Sequence, residues 1–196
     1  MSNKILSRSF YKRAPELVAR ELLGKVLVHQ LGDERLKGRI VEVEAYLGVT
    51  DPASHSFVGR TPRTEVLFGP PGIAYVYFIY GLHYCLNVTC LWNGEPGAVL
   101  FRALLPLEGS RTMAKLRGLP AEAKAKDLTG GPGRLCEAFG INRQAINGMD
   151  FTARKSPLQI VDDGDHPHDI KVTPRIGITK AADMPLRFLY VNNSRR

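Results

Sequence analysis

The chain has 196 residues, of which 44% are hydrophobic, so it can bury a core and is not disordered. This length predicts a single domain over residues 1–196. Its 27 Lys and Arg against 19 Asp and Glu give a net charge of +8, which favours a polyanionic partner such as nucleic acid. The longest apolar and aromatic run, residues 73–80, spans eight residues and excludes a membrane helix, which needs about 18–20.

The first half of the chain predicts a helix followed by several strands. The helix covers residues 14–23, with Pro15 in its first turn and Gly24 at its end. Residues 48–72 are rich in Gly, Pro, Ser and Thr, which indicates a long loop of the kind that usually has a function. The predicted strands are 25–30, 36–47, 74–80 and 84–90 (a hairpin around Gly81), and 98–105.

The second half predicts two helices and then three strands. Ser110 is expected to cap a helix that runs through Leu116 and stops at Gly118. A second helix begins at Gly131–Pro132 and stops at Gly140; the strands are 158–161, 170–173 and 186–191. Strands cluster early and late in the chain, which favours an α+β domain with a largely antiparallel sheet.

Two glutamates share one face of a predicted strand. Alternation places Val41, Val43, Ala45 and Leu47 on an apolar face and Ile40, Glu42, Glu44 and Tyr46 on the other. A carboxylate that activates water needs such a rigid mounting. The alternative is an exposed polar face in which Glu42 pairs with Arg39.

The hairpin region, residues 74–84, is rich in tyrosine. Tyr75 and Tyr77 share one face and offer stacking platforms, each worth about 1–3 kcal/mol per base, unless they are core residues with locally satisfied hydroxyls. Gly81 would project Tyr80 and Leu82 from the tip, where exposed apolar side chains are costly unless they wedge into a partner.

Two polar residues interrupt apolar strands and need partners if they are buried. Asn87 lies in Cys85–Val88, and Arg102 lies in Val99–Leu104. Arg102 is expected to pair with Glu42 or Glu44, where it either holds a catalytic carboxylate or forms an ordinary structural salt bridge.

Other polar clusters carry less functional signal. Residues 162–169 lack metal-site spacing and indicate an exposed acidic turn, and no metal site is expected. The sparse cysteines, Cys85, Cys90 and Cys136, do not form a disulfide framework, which favours a reducing compartment. The basic segment 109–143 is more typical of a solvated helical surface than of a phosphate-binding face.

Several long motifs occur together in one order. They are GRIVEVEAYLG (38–48), Thr61–Arg63, the Gly69–Gly72 turn, YVYFIYG (75–81), FRALLPLEG (101–109) and GPGRLC (131–136). Together they resemble the alkyladenine (3-methyladenine) DNA glycosylase family over about residues 10–190. The resemblance implies a compact mixed fold with a curved antiparallel sheet, flanking helices and a protruding β-hairpin.

The resemblance also implies roles for individual residues. Glu44 matches the general base that activates water, and Arg102 matches the arginine beside it. The other matches are Tyr46, His55 and Tyr77 in the base pocket, Asn87 as the residue that rejects normal guanine, Tyr80 as the intercalating tyrosine, and Leu82 beside it where vertebrate relatives have methionine.

The implied activity is removal of 3-methyladenine, 7-methylguanine or hypoxanthine from double-stranded DNA by base flipping, which leaves an abasic site. The expected protein is a monomer without a cofactor or a membrane partner, cytoplasmic and nucleoid-associated in a prokaryote and nuclear in a eukaryote. One alternative is a non-catalytic nucleic-acid-binding module. Another is a glycoside hydrolase, but Glu42 and Glu44 point the same way and do not readily flank a bond.

Overall fold

The computed structural model describes residues 4–92 and 94–191. Within those ranges the strands are β1 (Lys4–Ile5), β2 (Val26–Leu31), β3 (Glu34–Tyr46), β4 (Ala74–Ile79), β5 (His83–Cys90), β6 (Gly97–Glu108), β7 (Leu158–Asp162), β8 (Asp169–Thr173) and β9 (Arg187–Val191). The helices are α1 (Arg8–Tyr11), α2 (Pro15–Leu22), α3 (Ser110–Leu116), α4 (Ala125–Thr129), α5 (Pro132–Ala138) and α6 (Arg143–Ile146). The predicted α+β class is confirmed.

The strands form one sheet in the order β1-β7-β2-β3-β6-β5-β4, and every ladder between named strands in the described ranges is antiparallel. The sheet divides along β3. Its first part pairs with β2, and Glu42–Glu44 pair instead with Arg187–Leu189 of β9. The long strand β3 therefore joins the two parts of the sheet, and the carboxylates lie where it changes partner.

The predicted alternation of β3 is wrong at Ile40 and Val41. Ile40 is fully buried in the core, whereas Val41 is half-buried. The reason is a shift in the pairing of β3 with β6, where Ile40 lies opposite Leu104 but Glu42 lies opposite Ala103. The extra residue of this β-bulge exchanges the two faces of the strand. Beyond it, Val43 and Ala45 are buried in the core as predicted.

The core lies between the sheet and the helices. Its largest fully buried side chains include Tyr11, Leu22, Ile40, Phe101 and Phe139, which come from α1, α2, β3, β6 and the end of α5. Each buried aliphatic or aromatic side chain contributes about 1.5–3 kcal/mol relative to exposure. The helices are short, so burial of their apolar faces, rather than intrinsic propensity, accounts for their formation.

Several short elements escaped the sequence prediction. They are β1, α1, α4, α6 and three 3-10 helices within the predicted loop, at Gly48–Thr50, His55–Val58 and Glu65–Phe68. The expected cap at Ser110 is wrong: Gly109 precedes the helix in a left-handed conformation, and no side chain caps it. A side chain at Gly109 would lie 2.5 Å from Leu36 Cδ2, so close packing on β3 decides this helix start.

The acidic turn at residues 162–169 is tied to the sheet by cations. Asp162 contacts Lys25 Nζ at 2.9 Å, and Asp163 accepts two hydrogen bonds from the Arg39 guanidinium at 2.9 and 3.1 Å. Arg39 therefore pairs with this turn. The alternative in which Arg39 pairs with Glu42 on an exposed face of β3 is wrong. None of the helices in the described residues is long and apolar enough to cross a membrane.

Gly48 fixes the exit of the chain from β3. Its φ is +83°, and a Cβ there would lie 1.8 Å from the Pro96 carbonyl oxygen. Gly59 has a similar φ of +85° but no heavy atom within 4 Å of an added Cβ. An alanine at Gly59 would therefore introduce backbone strain alone, whereas an alanine at Gly48 would introduce the same strain and a steric clash.

We expect Gly59→Ala to lower the free energy of unfolding by about 1–3 kcal/mol through backbone strain. Gly48→Ala should lose about a further 1–3 kcal/mol because the methyl group is driven into Pro96. Urea denaturation of both variants measures the difference, and equal losses would show that the contact with Pro96 is relieved without cost.

Candidate active site

A pocket of about 210 Å³ opens beside the end of β3. Its walls come from β3, β4, β5, the 48–72 loop and the segment before β9, and its lining includes Tyr46, His55, Tyr77, Asn87 and Ile178. The structure thus brings together all four of the side chains that the sequence predicts for substrate binding. The ring centroids of His55 and Tyr77 lie 4.4 Å apart in an edge-to-face arrangement, so these walls support each other.

Glu44 lies behind this pocket and has no solvent exposure. Its Oε1 accepts a hydrogen bond from the Ile176 backbone N–H at 2.8 Å and lies 3.2 Å from Arg102 Nη1. Its Oε2 accepts one from the Tyr46 hydroxyl at 3.0 Å. Two hydrogen-bond donors and one cation in direct contact therefore satisfy a carboxylate whose burial would otherwise be costly.

Arg102 holds both carboxylates of β3. Its Nε donates to Glu42 Oε1 at 2.9 Å while its Nη1 faces Glu44. Arg187 of β9 donates to the same Glu42 oxygen at 2.7 Å. Burial alone would lower the pKa of Arg102, but the two carboxylates outweigh it and the pKa is raised. The guanidinium is therefore fixed as a cation beside Glu44.

A second cleft of about 690 Å³ lies on the other side of this arginine. Arg102, Glu42 and Ile176 contribute to its lining, whereas Tyr46 contributes to the first pocket. Glu44 is in neither lining; along β3 it lies between Glu42, which lines the second cleft, and Tyr46, which lines the first pocket. Within the described ranges, no group of three or more His, Cys, Asp or Glu side chains is placed to hold a metal ion.

His55 is held as a neutral ring. Burial, assisted by the nearby Arg63 cation, lowers the pKa of His55 from 6.5 to about 4. Its Nδ1 lies 3.0 Å from the Tyr75 hydroxyl, and Arg63 Nη2 lies 3.4 Å from Nε2. Because a guanidinium only donates, Nε2 is the acceptor, so Nδ1 carries the proton and donates to Tyr75.

Asn87 is buried, and its orientation is fixed. Its Nδ2 donates to the Tyr75 carbonyl oxygen at 3.1 Å, across the β4–β5 ladder. This hydrogen bond explains why an amide is tolerated inside an apolar strand. Its side chain lines the pocket and narrows it from the β5 side.

Tyr80 and Leu82 lie outside the pocket, at the tip of the β4–β5 hairpin. Tyr80 is 82% exposed and Leu82 is 69% exposed. Tyr80 has φ +54° and is followed by Gly81 with φ +66°. A positive φ is costly for a tyrosine, by about 1–2 kcal/mol, so the turn holds an apolar side chain in solvent and under strain. Such strain without a packing benefit indicates a functional position.

The sequence model of the methylpurine-DNA glycosylase family matches residues 9–194, nearly the whole chain. The chain belongs to this family. It is 55% identical to a protein of Koribacter versatilis over 94% of this chain and 88% of the relative. It is 44% identical to one of Desulfitobacterium hafniense over 97% of each chain, and 47% identical to one of Methanocella arvoryzae over 93% and 89%. All three relatives carry the provisional name 3-methyladenine DNA glycosylase.

The family membership that the motifs predicted is therefore confirmed. As a methylpurine-DNA glycosylase, the protein is a hydrolase of N-glycosyl bonds in DNA and acts in base excision repair. The roles assigned to individual side chains stay predictions, for which the geometry described above supplies the argument.

Three parts of the candidate site could not be found, or were not found, from the sequence. Arg187 interrupts the apolar run of the predicted strand 186–191 as Arg102 interrupts that of β6, and that signal could have identified it. The Ile176 amide leaves no trace in the sequence because it is a backbone group. Arg175 forms a fully buried ion pair with Asp51, across more than a hundred residues of chain, which no local pattern predicts.

We expect the free energy of unfolding to decrease as the pH falls from about 6.5 to about 4. In that range the unfolded chain binds a proton at His55 and the folded protein does not, so protonation favours unfolding. His55→Gln should flatten this dependence, with the remainder due to buried His29, whose pKa burial also lowers, and, toward pH 4, to carboxylates such as Asp51 and Glu108 whose pKa values lie below the usual ones. Urea denaturation across this range measures the slope, and an unchanged slope would contradict the neutral state of His55.

Proposed function

We propose that the protein flips alkylated or deaminated purines out of duplex DNA and hydrolyses their N-glycosidic bond with an activated water. The substrates would be of the 3-methyladenine, 7-methylguanine and hypoxanthine type. One observation carries the proposal: Glu44 is fully buried, accepts two hydrogen bonds and contacts the Arg102 guanidinium, on the strand that runs from Glu42 at the second cleft to Tyr46 at the aromatic pocket. A carboxylate needs no such mounting for DNA binding alone, and this argues against a non-catalytic binding module.

The first pocket is suited to a flipped purine. Tyr46, His55 and Tyr77 provide flat or edge-on aromatic contacts. A base that is cationic after alkylation gains about 1–2 kcal/mol from such rings when it is desolvated, and damaged bases leave the duplex more easily. Asn87 would crowd the exocyclic amine of a normal guanine and so reject it.

The position of Glu44 suits attack by water from the side opposite the leaving base. With the base in the aromatic pocket, water in the second cleft would meet Arg102, whose Nη1 lies 3.2 Å from Glu44 Oε1, and would reach Glu44 past this guanidinium. Glu44 would take its proton while the negative charge of the carboxylate stabilises the developing positive charge on the sugar. With water as the nucleophile no Schiff base forms, so the proposed enzyme is monofunctional and leaves an abasic site.

The hairpin tip suits insertion into DNA. Tyr80 would fill the gap that the flipped nucleotide leaves, with Leu82 beside it as an apolar wedge. The net charge of +8 would supply salt-dependent affinity for any duplex. In this proposal the protein acts as a monomer on double-stranded DNA.

Glu44→Gln keeps the shape of the side chain and removes its ability to accept a proton. We expect it to bind duplex DNA like the wild-type protein but to release no base from methylated or hypoxanthine-containing duplexes. Alkaline cleavage of the resulting abasic sites measures excision, and gel shift measures binding. The matched control is Glu21→Gln, which changes an exposed glutamate paired with Arg13. Excision by Glu44→Gln at the control's rate would contradict the proposal.

Tyr80→Asn separates the proposed role of the Tyr80 ring in DNA from the backbone strain at this position. Asn-Gly tolerates two successive positive φ values best, so the variant should unfold at the same or a higher temperature. Its single-turnover excision from duplex DNA should be slower, because the gap left by the flipped base is no longer filled. Thermal melting and single-turnover kinetics measure the two effects. An unchanged excision rate would argue against intercalation by Tyr80.

A further inference from the structure

We infer that the buried Asp51–Arg175 pair positions Glu44 by holding the Ile176 backbone N–H against its carboxylate. This inference rests on the proposed role of Glu44 as the base. It assigns positioning roles to Asp51 and Arg175 and a functional role to one backbone amide.

The ion pair is entirely enclosed. Arg175 Nη1 contacts Asp51 Oδ2 at 2.5 Å and Nη2 contacts Oδ1 at 2.9 Å, and neither side chain has any exposure. Such a pair is weak evidence for stability, because well-packed apolar residues in the same place are often equally stable. The pair instead determines the orientation of Arg175, since a bidentate contact with the carboxylate fixes the plane of the guanidinium.

That orientation is transmitted to Glu44 through adjacent residues. Arg175 Nη1 also donates to the Ala45 carbonyl oxygen at 3.1 Å, and the next N–H along the chain, that of Ile176, donates to Glu44 Oε1 at 2.8 Å. Two neighbouring residues of one segment are thus joined to two neighbouring residues of β3. The segment cannot shift along the strand without breaking both contacts.

Asp51 also links the Asp51–Arg175 ion pair to the backbone of the base pocket. Its carboxylate accepts hydrogen bonds from the N–H groups of Leu47 and Ala53, at 3.1 and 3.0 Å, as well as from Arg175. Burial opposes ionisation of Asp51, but these donors outweigh it and its pKa lies below the usual value. Ala53 itself lines the pocket just before His55.

Arg175 also supports the aromatic wall. Its Cζ lies 4.7 Å from the centre of the Tyr46 ring, and the Tyr46 hydroxyl is the donor to Glu44 Oε2. Gly177 and Ile178, which follow Ile176, line the base pocket. One buried guanidinium therefore fixes both the ring beside the base and the amide on the carboxylate.

The decisive experiment removes the amide proton without changing either side chain of the ion pair. Ile176→Pro deletes the N–H, and Ile176→Ala is the matched control that keeps it; the Ile176 side chain is 48% exposed, so its loss disturbs little. Single-turnover excision from a hypoxanthine duplex should fall about a hundredfold in Ile176→Pro, the cost of an ångström-scale misplacement of a reacting group. The decrease is measured against Ile176→Ala, which loses the same side chain and keeps the N–H, so that only the loss of the amide proton distinguishes the two variants.

The affinity for DNA distinguishes a loss of Glu44 positioning from a general disruption of the fold. The affinity of Ile176→Pro for a duplex with a tetrahydrofuran abasic analogue should match that of Ile176→Ala, because the amide faces the carboxylate and not the DNA. Equal excision rates in the two variants would overturn the inference. If the wild-type protein releases no base from any lesion, the proposed function fails first and the inference fails with it.

Arg175→Lys gives a second and independent test, which decides the matter if circular dichroism shows that Ile176→Pro does not fold. Lysine keeps the charge but cannot form the two-pronged contact. We expect slower excision with unchanged binding. Arg13→Lys is the control, because it also replaces an arginine that forms a bidentate contact with a carboxylate, here Glu21, and it lies away from the pocket. A folded Arg175→Lys that excises at the rate of this control would overturn the inference.

Discussion

Glu44 carries a carboxylate into a position without solvent, and much of the surrounding architecture satisfies its two oxygens. An unpaired charge there would cost several kcal/mol. Its partners come from three places: the Tyr46 hydroxyl further along its own strand and the Ile176 amide before β9, which donate hydrogen bonds, and the Arg102 guanidinium on the neighbouring strand, which forms an ion pair. They meet only when the sheet is complete, so the fold and the candidate site depend on each other.

The charges of the site are balanced locally. Arg102 and Arg187 are paired with Glu42, and Arg175 is paired with Asp51, so these cations fix geometry inside the protein. The basic excess that attracts DNA must therefore come from other residues. We expect electrostatic affinity to be spread over the surface, with selection of the damaged base confined to the aromatic pocket.

The sequence predicted the main strands, the antiparallel sheet, the hairpin and the pairing of Arg102 with β3, because alternation and isolated charges are local signals. It failed at Ile40 and Val41, because a β-bulge depends on the partner strand and not on the residue's own neighbours. It also failed at Ser110, where packing of Gly109 on Leu36 replaces a side-chain cap. The contribution of Ile176 could not be predicted at all, since every residue except proline has the same amide.

The tyrosines of the pocket and the tyrosine of the hairpin tip differ in burial and in hydrogen bonding. Tyr46 and Tyr75 have hydroxyl partners inside the site, whereas Tyr80 is exposed and held at a positive φ. The first arrangement builds rigid walls, and the second keeps a ring ready for a partner. In the proposed mechanism the rigid pocket would receive the flipped base and the exposed tip would enter the duplex.

A crystal structure of Glu44→Gln bound to a duplex with a single hypoxanthine tests this account most directly. We predict that the hypoxanthine lies in the pocket between Tyr46 and Tyr77, that Tyr80 fills its place in the duplex, and that the residue at position 44 faces the sugar C1′ with Arg102 beside it. A hypoxanthine that stays stacked in the duplex, or one that is flipped away from position 44, would contradict the account.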